Sequence, residues 1–449
     1  MARLFGTDGV RAKAGEPPLD PATVRRLGGA LARALRATGP AGEPVRFLSG
    51  RDTRESGAWI ERELARGMAS QGASLTSAGV IPTPAIAYLT PHRRYAAGVV
   101  ISASHNPFED NGIKVFSGAG EKFTEEREHE VEAIMADASW SVPDAPAPAV
   151  EQVDLRGEYE AHLLRLLPGG APGLRVAVDC ANGATTTVAP AVFEAIGSHA
   201  TFLACDPDGR NINLHCGSTH PAHLARIVVE GGYRLGVAFD GDGDRAIFID
   251  HTGAVVDGDA VMLMCAKRMR AEGRLAGDAI VATVMSNIGL EIALRGAGIG
   301  LVRCGVGDKY VMEAMQQQGL SLGGEQSGHV IFSEHLFTGD GLATALQVLR
   351  TMAATGRDLR DLASDLTTYP QVLLNLRVRQ KKDLREVPAI ASVLASVEQR
   401  LAGTGRLLVR YSGTEPLLRV MLEGKDEGEI RRWGQEIIDT AREHLGSAP

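Results

Sequence analysis

The sequence predicts an α/β protein with largely parallel sheets. Short apolar runs typical of buried strands alternate with amphipathic helical stretches through most of the 449 residues. Each of the clearest runs passes into a loop rich in Gly, Asp, Asn or Ser; the runs are 47–48, 99–101, 176–178 and 237–239. A chain of this length exceeds one hydrophobic core, so we expect about two to four domains.

The first helix is predicted to begin at Pro21. Asp20 is a favourable N-cap residue, and proline is favoured at the first helical position. Apolar residues then recur at helical spacing, at Val24, Leu27, Leu31 and Leu35. The segment therefore predicts an amphipathic helix with one apolar face.

Three breaks divide the chain into four predicted domains. The alternating Pro and Ala residues of 142–149 favour an extended linker. A second break lies near His251, after a predicted strand at 246–250, and a third lies near Pro370. Beyond Pro370 the pattern becomes strand, helix, strand, strand, helix. We therefore predict α/β domains at 1–150, 151–252 and 253–368 and a smaller α+β domain at 369–449.

The composition argues against several classes of function. A net charge of -8 gives no overall positive field, so we expect no nucleic-acid partner. The five cysteines are odd in number and lack CxxC spacing, which predicts neither a disulfide scaffold nor a zinc site and indicates a reducing cytosol. No run has the pattern of a signal peptide or of a membrane span. We therefore expect a cytoplasmic protein with no membrane partner.

A polar loop follows the predicted strand at 99–101, and it reads Ser102-Ala103-Ser104-His105-Asn106-Pro107. Because α/β proteins place their chemistry at the carboxyl ends of strands, a hydroxyl here could carry a covalent group. From this segment alone, a strand-to-helix loop capped by Ser and Asn is an equal alternative. Lys114, soon after, is either a surface lysine or a proton carrier and charge partner.

A second loop, Asp240-Gly241-Asp242-Gly243-Asp244-Arg245, lies between two predicted strands. Carboxylates on alternate residues of a tight loop converge on one hard cation, and the glycines let the backbone curl. A calcium loop of the EF-hand type fails on spacing, because Arg245 stands where that loop needs Gly. A solvated acidic turn is the other alternative, but such close carboxylates repel one another without a cation. The loop predicts a Mg²⁺ site.

Two further loops carry polar groups suited to a sugar phosphate. In 323–329, Glu325, Ser327 and His329 could read sugar hydroxyls, although His329 could equally be an ordinary loop histidine. In 410–416, with Arg419 beyond, guanidinium, hydroxyl and backbone N–H groups could form a nest for a phosphate dianion. Ordinary Ser/Thr turn chemistry is the alternative for this last loop.

Together the four loops resemble those of the α-D-phosphohexomutase family. Ser104 to Pro107 resembles its phosphoserine loop, Asp240 to Arg245 its metal loop, Glu325 to His329 its sugar loop and Arg410 to Thr414 its phosphate loop. The loops occur in the family's order, and the resemblance covers the whole chain. It implies three similar doubly wound α/β domains plus a smaller C-terminal α+β domain around a central cleft.

Finer details resemble the branch of the family that acts on glucosamine phosphates. They are the start Phe5-Gly6-Thr7-Asp8-Gly9 and Gln326, where the glucose and mannose enzymes usually have Met. The resemblance implies isomerisation of glucosamine 6-phosphate to glucosamine 1-phosphate, on the route to UDP-N-acetylglucosamine. The alternatives are a mutase of neutral hexose phosphates, a non-catalytic binding protein and a phosphatase. Asp308 departs from the histidine of the glucose and mannose enzymes, so that histidine's role is not carried over.

The resemblance also implies cofactors, partners and residue roles. Ser104 would carry a phosphoryl group, one Mg²⁺ per chain would bind Ser104, Asp240, Asp242 and Asp244, and a hexose 1,6-bisphosphate would be the intermediate and activator. The implied partner is a small sugar phosphate. The family often forms dimers, so the resemblance also implies a homodimer. The implied catalytic residues are Ser104, Lys114, Arg11, Arg245 and His329; the substrate-binding residues are Glu325, Ser327 and His329; the phosphate-binding residues are Arg410, Ser412, Gly413, Thr414 and Arg419.

Overall fold

The computed structural model describes residues 4–6, 8–38, 44–146, 148–412 and 416–446. The chain separates into two compact units. The first contains Met1–Met285 and Gly298–Asp365, and the second contains Ser286–Ala297 and Leu366–Pro449. Among the described residues, no helix has both the length and the apolar character needed to cross a membrane.

The first sheet has the strand order β1-β5-β4-β2-β3-β6. Its strands are β1 (Val10–Lys13), β2 (Arg46–Arg51), β3 (Ser74–Val80), β4 (Ala97–Ile101), β5 (Asp110–Ser117) and β6 (Glu151–Gln152). Four helices accompany it: α1 (Pro21–Thr38), α2 (Gly57–Ser70), α3 (Thr83–His92) and α4 (Glu125–Ala136). Helix α1 begins at Pro21 as predicted, because the Asp20 carboxylate accepts hydrogen bonds from the backbone N–H groups of Ala22 and Thr23, each at 3.1 Å.

The second sheet has the strand order β11-β10-β9-β7-β8. Its strands are β7 (Arg175–Asp179), β8 (His199–Leu203), β9 (Leu235–Phe239), β10 (Ala246–Asp250) and β11 (Val255–Val256), and its helices are α5 (Arg156–Leu164), α6 (Ala189–Ala195) and α7 (Ala222–Gly231). A short 3-10 helix spans Ala184–Thr187. Strands β9 and β10 are buried along their whole length, so the hairpin that joins them is anchored in the core.

The third sheet has the strand order β13-β12-β14-β15. Its strands are β12 (Ala279–Thr283), β13 (Gly300–Cys304), β14 (Leu322–Gly324) and β15 (Val330–Phe332). The helices of this part of the chain are α8 (Gly258–Ala271), α9 (Ile288–Gly296), α10 (Asp308–Gln318), α11 (Gly341–Thr355) and α12 (Leu359–Ala363); α9 belongs to the second unit.

The second unit has a three-stranded antiparallel sheet in the order β16-β18-β17. Its strands are β16 (Gln371–Arg377), β17 (Arg406–Tyr411) and β18 (Leu417–Glu423), and helices α13 (Pro388–Leu401) and α14 (Glu427–Leu445) complete it. The order strand, helix, strand, strand, helix is the one predicted from the sequence. Apolar side chains of both helices and of the sheet form its core.

The prediction of largely parallel sheets holds for the strands at the centre of the first unit's sheets. β4 is parallel to β2, β9 to β7, and β14 to β12. Each of these three strands then turns back into an antiparallel partner, respectively β5, β10 and β15. The three loops singled out from the sequence of this unit are the connections within these antiparallel pairs. The alternative of a strand-to-helix loop at Ser104 is therefore wrong, because that loop joins two strands.

Candidate active site

Ser104 lies in the loop between β4 and β5 and is almost completely buried. Its Oγ donates a hydrogen bond to Asp240 of the second predicted loop. Its backbone has φ 52°, a left-handed conformation that non-glycine residues adopt at some energetic cost. The structure thus holds the Ser104 hydroxyl against an aspartate that is distant in the sequence.

Ser102 has a different environment. Its Oγ donates to the buried Asp52 and accepts a hydrogen bond from the Ser104 backbone N–H at 2.9 Å. Both bonds lie just beyond the carboxyl ends of β4 and β2, so Ser102 shapes the loop that presents Ser104.

The backbone of the serine loop is held by two side chains from elsewhere in the unit. The buried Arg54 guanidinium pairs with Asp52 and donates to the carbonyl oxygens of Ser104 at 3.2 Å and Asn106 at 2.5 Å. The Asn213 amide donates to the same two oxygens, at 2.9 and 3.1 Å. Because carbonyl groups of a buried loop need partners, these side chains fix its conformation.

The loop between β9 and β10 brings Asp240, Asp242 and Asp244 together. One carboxylate oxygen from each lies within 4.8 Å of the others, and all three side chains are buried. The second glycine, Gly243, has φ 75°, and a Cβ on the first, Gly241, would lie 2.5 Å from the Ser104 carbonyl oxygen. The glycines therefore allow both the tight turn and the approach of the serine loop.

The electrostatics of this triad favour a bound cation. Among the described residues, Asp242 Oδ1 and Asp244 Oδ1 are buried and have no hydrogen-bond partner. Burial, followed by the carboxylates of Asp244 and Asp242, raises the pKa of Asp240 well above its usual value. The triad offers several charged carboxylate oxygens, and two of these oxygens have no hydrogen-bond partner. It therefore fits a hard divalent ion such as Mg²⁺.

Lys114 projects from β5 into the same cluster. Its Nζ lies 2.8 Å from Asp242 Oδ2, 3.1 Å from Asp8 Oδ2 and 3.3 Å from Asp244 Oδ2. Burial alone would lower the pKa of Lys114, but the carboxylates of Asp242, Asp8 and Asp244 outweigh it and raise the pKa well above its usual value. The alternative of a surface lysine is therefore wrong, and the three carboxylates favour the positively charged form of the side chain.

A network that the sequence did not reveal surrounds this lysine. Lys122 donates to Asp8 at 2.6 Å and also pairs with Asp308 at the start of α10. Arg11, on β1, pairs with Asp8 and donates to the Ala103 carbonyl oxygen at 3.3 Å. These contacts connect the N-terminal segment to both the serine loop and the third sheet.

The sugar loop between β14 and β15 contributes Glu325, Ser327 and His329. Glu325 accepts hydrogen bonds from the Gly307 backbone N–H at 3.1 Å and from Ser327 Oγ at 3.2 Å. His329 is 1% exposed; the Gly339 backbone N–H donates to its Nε2 at 3.0 Å, and its Nδ1 lies 3.7 Å from Asp244. The structure thus places His329 beside the metal loop, and Glu325 and Ser327 nearer to solvent.

A cavity of about 550 Å³ opens where these loops meet. Its lining includes the guanidinium-bearing Arg11 and Arg245, together with His105, Asp308 and Glu325. Burial and the Arg245 charge lower the pKa of His105 to about 4, so its ring is neutral near pH 7. Two arginines at the wall of a polar cavity suit an anionic ligand, and the carboxylates suit hydroxyl or amino groups.

In the second unit, Arg410 on β17 and Arg419 on β18 are directly opposite each other in the antiparallel register. Like charges in this position repel unless an anion lies between them. Lys381 adds a third cation, because its Nζ donates to the Ser412 carbonyl oxygen at 2.7 Å. Gly413 and Thr414 lie outside the described residues.

Four family models match successive parts of the chain. Their descriptions are phosphoglucomutase/phosphomannomutase, alpha/beta/alpha domain I over residues 2–141, domain II over 163–253, domain III over 257–369 and the C-terminal domain over 373–440. The chain belongs to the phosphoglucomutase/phosphomannomutase family. The resemblance found in the sequence is thereby confirmed, as is the prediction of three α/β domains followed by a C-terminal domain.

Curated relatives in this family match over nearly their full length. A phosphoglucosamine mutase from Solibacter usitatus is 48% identical over 448 residues, which is 99% of this chain and 99% of that protein. A phosphoglucosamine mutase from Syntrophotalea carbinolica is 47% identical over 450 residues, covering 99% of this chain and 98% of that one.

Solved structures in the family share the fold. A phosphoglucomutase/phosphomannomutase family protein from Burkholderia thailandensis superposes with a TM-score of 0.82 at 24% identity, covering 99% of this chain and 98% of that one. An N-acetylphosphoglucosamine mutase from Aspergillus fumigatus, solved with GlcNAc-6P and magnesium, gives a TM-score of 0.68 at 17% identity, covering 98% of this chain and 96% of that one.

Proposed function

We propose that this chain interconverts glucosamine 6-phosphate and glucosamine 1-phosphate by phosphoryl transfer through Ser104. The observation that carries the proposal is the contact between the Ser104 hydroxyl and Asp240 of the aspartate triad. A group that can carry phosphate and a group that can hold a divalent cation thus lie side by side. Full-length relatives at 48 and 47% identity bear the name phosphoglucosamine mutase, which supports the choice of substrate.

Asp240, Asp242, Asp244 and a phosphate oxygen on Ser104 would hold the Mg²⁺. Bound there, the ion would neutralise negative charge on the phosphoryl group that is transferred. The unpartnered oxygens of Asp242 and Asp244 support this assignment.

In this proposal Ser104 donates its phosphoryl group to O1 of glucosamine 6-phosphate, which forms the 1,6-bisphosphate. The bisphosphate then reorients in the site so that its 6-phosphate faces Ser104. Its 6-phosphoryl group is transferred to Ser104, which leaves glucosamine 1-phosphate. A hexose 1,6-bisphosphate therefore also serves as an activator, since it can phosphorylate an unmodified Ser104. Ser104 is buried, and this position protects the phosphoserine from water. Hydrolysis of the phosphoserine would instead release inorganic phosphate, which is the reaction of a phosphatase.

The surrounding side chains have distinct parts in this proposal. Lys114 stays protonated and stabilises charge near the triad, since its three carboxylate neighbours hold its proton. Arg11 and Arg245 line the cavity and bind phosphate oxygens. Glu325 accepts hydrogen bonds from sugar hydroxyl groups, and Ser327 donates hydrogen bonds to them. His329 lies against Asp244 and orients the metal loop, and in this proposal it keeps the catalytic and substrate-binding roles that the resemblance implies.

In the second unit we assign phosphate binding to Arg410, Ser412, Gly413, Thr414 and Arg419. The position of Arg410 directly opposite Arg419 on neighbouring strands supports this part of the proposal. The domain boundaries after residues 150, 252 and 368, the homodimer and the cytoplasmic location stay predictions.

A comparison of substrates tests the proposal. Purified protein with Mg²⁺ and a catalytic amount of hexose 1,6-bisphosphate is given glucosamine, glucose or mannose 6-phosphate, and 1-phosphate formation is measured. We expect kcat/KM for the glucosamine substrate to be about tenfold or more above the others. Equal or faster turnover of mannose 6-phosphate would favour the neutral-hexose mutase. Release of inorganic phosphate without isomer would favour the phosphatase. Ser104→Ala is the control and should be inactive.

A further inference from the structure

Two cysteines lie side by side at the carboxyl ends of β7 and β8. These strands are parallel neighbours, with Asp179 opposite Leu203. Beyond their ends the two segments stay paired, because the Cys180 backbone N–H donates to the Leu203 carbonyl oxygen at 3.0 Å and the Asn182 N–H to that of Ala204 at 2.6 Å. The two thiol groups are close enough for each to change the pKa of the other.

The two thiols differ in reactivity. Cys180 is completely buried, whereas Cys205 is half-buried and reachable from solvent. Interaction with the Cys180 thiol lowers the pKa of Cys205 to about 7, and the same interaction, together with burial, raises the pKa of Cys180 well above its usual value. Thiolates are the reactive form of cysteine, so Cys205 has the properties of an attacking thiol and Cys180 those of a resolving one.

The turn that follows Cys180 supports the candidate active site. The Ala184 N–H donates to the Gly241 carbonyl oxygen in the metal loop at 2.8 Å. The Ala181 carbonyl oxygen accepts from the Asn213 N–H at 2.9 Å, and the Asn213 amide in turn holds the Ser104 carbonyl oxygen. Ala181 and Asn182 have φ 54° and 47°, so this turn is held in a left-handed conformation by its contacts.

We propose that Cys180 and Cys205 form a redox-active dithiol that a peroxide converts to a disulfide, with reversible loss of enzyme activity. In this proposal, shortening the sulfur–sulfur distance to about 2.05 Å, the length of a disulfide bond, shifts the segments after β7 and β8. Because Cys180 begins the turn that touches Gly241 and Asn213, the shift moves the metal loop relative to Ser104. The dithiol itself does not depend on the proposed function; only its effect on activity does.

The oxidation balances as follows. The Cys205 thiolate attacks one peroxide oxygen; a sulfur–oxygen bond forms, the oxygen–oxygen bond breaks, and the hydroxide that leaves takes up the proton released by Cys205 to become water. The sulfur of Cys180 then attacks the sulfenic acid on Cys205; the sulfur–sulfur bond forms and the sulfur–oxygen bond breaks. That oxygen leaves with the Cys180 proton as a second water. Two thiols lose two electrons, and one peroxide is reduced.

The test treats the full-length protein with a small excess of hydrogen peroxide, alkylates the remaining thiols and maps them by peptide mass spectrometry. We expect a linked peptide pair containing Cys180 and Cys205, two hydrogen atoms lighter than the separate peptides and released by dithiothreitol. Cys304 is an internal reference, since burial raises its pKa to about 11 and it should remain alkylatable. Mutase activity should fall about fivefold or more with formation of the link and return on reduction.

Cys205→Ser is the matched variant: it should form no link and keep its activity under the same treatment. If it folds poorly by circular dichroism, Cys205→Ala serves instead. The dithiol is overturned if both thiols stay alkylatable, or if Cys205 is over-oxidised without a link to Cys180. A link with unchanged activity overturns the effect on activity. Failure of the proposed function is a separate result, namely no mutase activity in the fully reduced protein.

Discussion

The ammonium group of Lys114 lies 2.8 Å from a carboxylate oxygen of Asp242, deep in the first unit. Asp244 and Asp8 share the same nitrogen at 3.3 and 3.1 Å. One buried cation is thus divided among three carboxylates, two of which belong to the metal loop. The position of the metal loop and the charge of the lysine therefore depend on each other, which leads to the first prediction.

Replacing Lys114 with Met should reduce both stability and activity. The change leaves three carboxylates in a buried site without their shared partner, so we expect the free energy of unfolding in metal-free buffer to fall by about 3–5 kcal/mol. Turnover should fall by about 100-fold or more, because a fixed charge near the reacting group is lost. Urea denaturation and steady-state kinetics measure the two effects.

The control for this prediction is Lys267→Met on α8. Lys267 pairs with Asp365 in a partly exposed position, so its loss should change stability by no more than about 1 kcal/mol and leave turnover unchanged. A Lys114→Met protein as stable and active as the control would contradict the role of Lys114.

Mg²⁺ should stabilise the folded protein through the aspartate triad. At about 100 times its dissociation constant, a ligand that binds only the folded state adds about 2.7 kcal/mol. We therefore expect the melting temperature to rise with Mg²⁺, and activity to vanish with EDTA and return with Mg²⁺. Asp242→Asn should lose both responses, whereas Asp154→Asn, on the surface beside Arg156, should keep them. An unchanged response in Asp242→Asn would place the ion elsewhere.

Replacing Ser102 or Ser104 with Ala should have different effects on phosphorylation and turnover. Ser104→Ala should remove the phosphorylated fraction and reduce turnover by about 1,000-fold or more. Ser102→Ala should keep the phosphate but lower the free energy of unfolding by about 1–3 kcal/mol, because buried Asp52 loses a donor and the Ser104 N–H loses an acceptor. Intact-mass spectrometry and steady-state kinetics distinguish the two variants, and urea denaturation measures the loss of stability. Phosphate on Ser102 in the Ser104→Ala protein would reverse the assignment.

Stability should depend on pH through Asp340, whose buried carboxylate accepts hydrogen bonds from Tyr159 and from the Ala343 N–H. Burial raises the pKa of Asp340 to about 6, above the value of about 3.9 in an unfolded chain. The folded state therefore holds this proton more tightly, so stability is full below pH 4 and decreases as the pH rises through 6. The loss attributable to Asp340 is about 3 kcal/mol.

Asp340→Asn should remove that loss of stability. The difference in the free energy of unfolding between the variant and the wild type should therefore change progressively between pH 4 and 6, in favour of the variant. Tyr159→Phe should enlarge the loss, because the Tyr159 hydroxyl stabilises the ionised carboxylate. Urea denaturation across this range is the measurement. Parallel curves for wild type and Asp340→Asn would show that Asp340 does not titrate in this range.

Much of the site could be predicted because its residues lie in short local patterns. The alternation of aspartate and glycine in 240–244 specifies a tight turn, and the turn alone brings three carboxylates together. The apolar strands on either side of it specify its depth in the core. The assignment of Ser104 rather than Ser102 also depends on a local pattern, because Ser104 begins the turn after the strand and precedes His105-Asn106-Pro107, as in the phosphoserine loop of the family.

The remaining contacts could not be predicted, because they join residues far apart in the chain. Lys122 reaches Asp308 across 186 positions, and Arg54 reaches Ser104 across 50. The antiparallel direction of β5, β10 and β15 was also not predicted, because a buried apolar strand has the same pattern in either direction. The run Asp52-Thr53-Arg54-Glu55-Ser56 after β2 is typical either of a capped helix start or of an arginine directed at an anion, and neither interpretation predicts the contact of Arg54 with the serine loop.

The most direct measurement follows the phosphoryl group itself. Protein labelled with ³²P on Ser104 is mixed with unlabelled glucosamine 6-phosphate and Mg²⁺, and the reaction is quenched within a single turnover. We expect the label to leave the protein and appear in the sugar bisphosphate and then in the sugar monophosphates. Label that stays on the protein, or that leaves only as inorganic phosphate, would contradict phosphoryl transfer from Ser104 to the sugar.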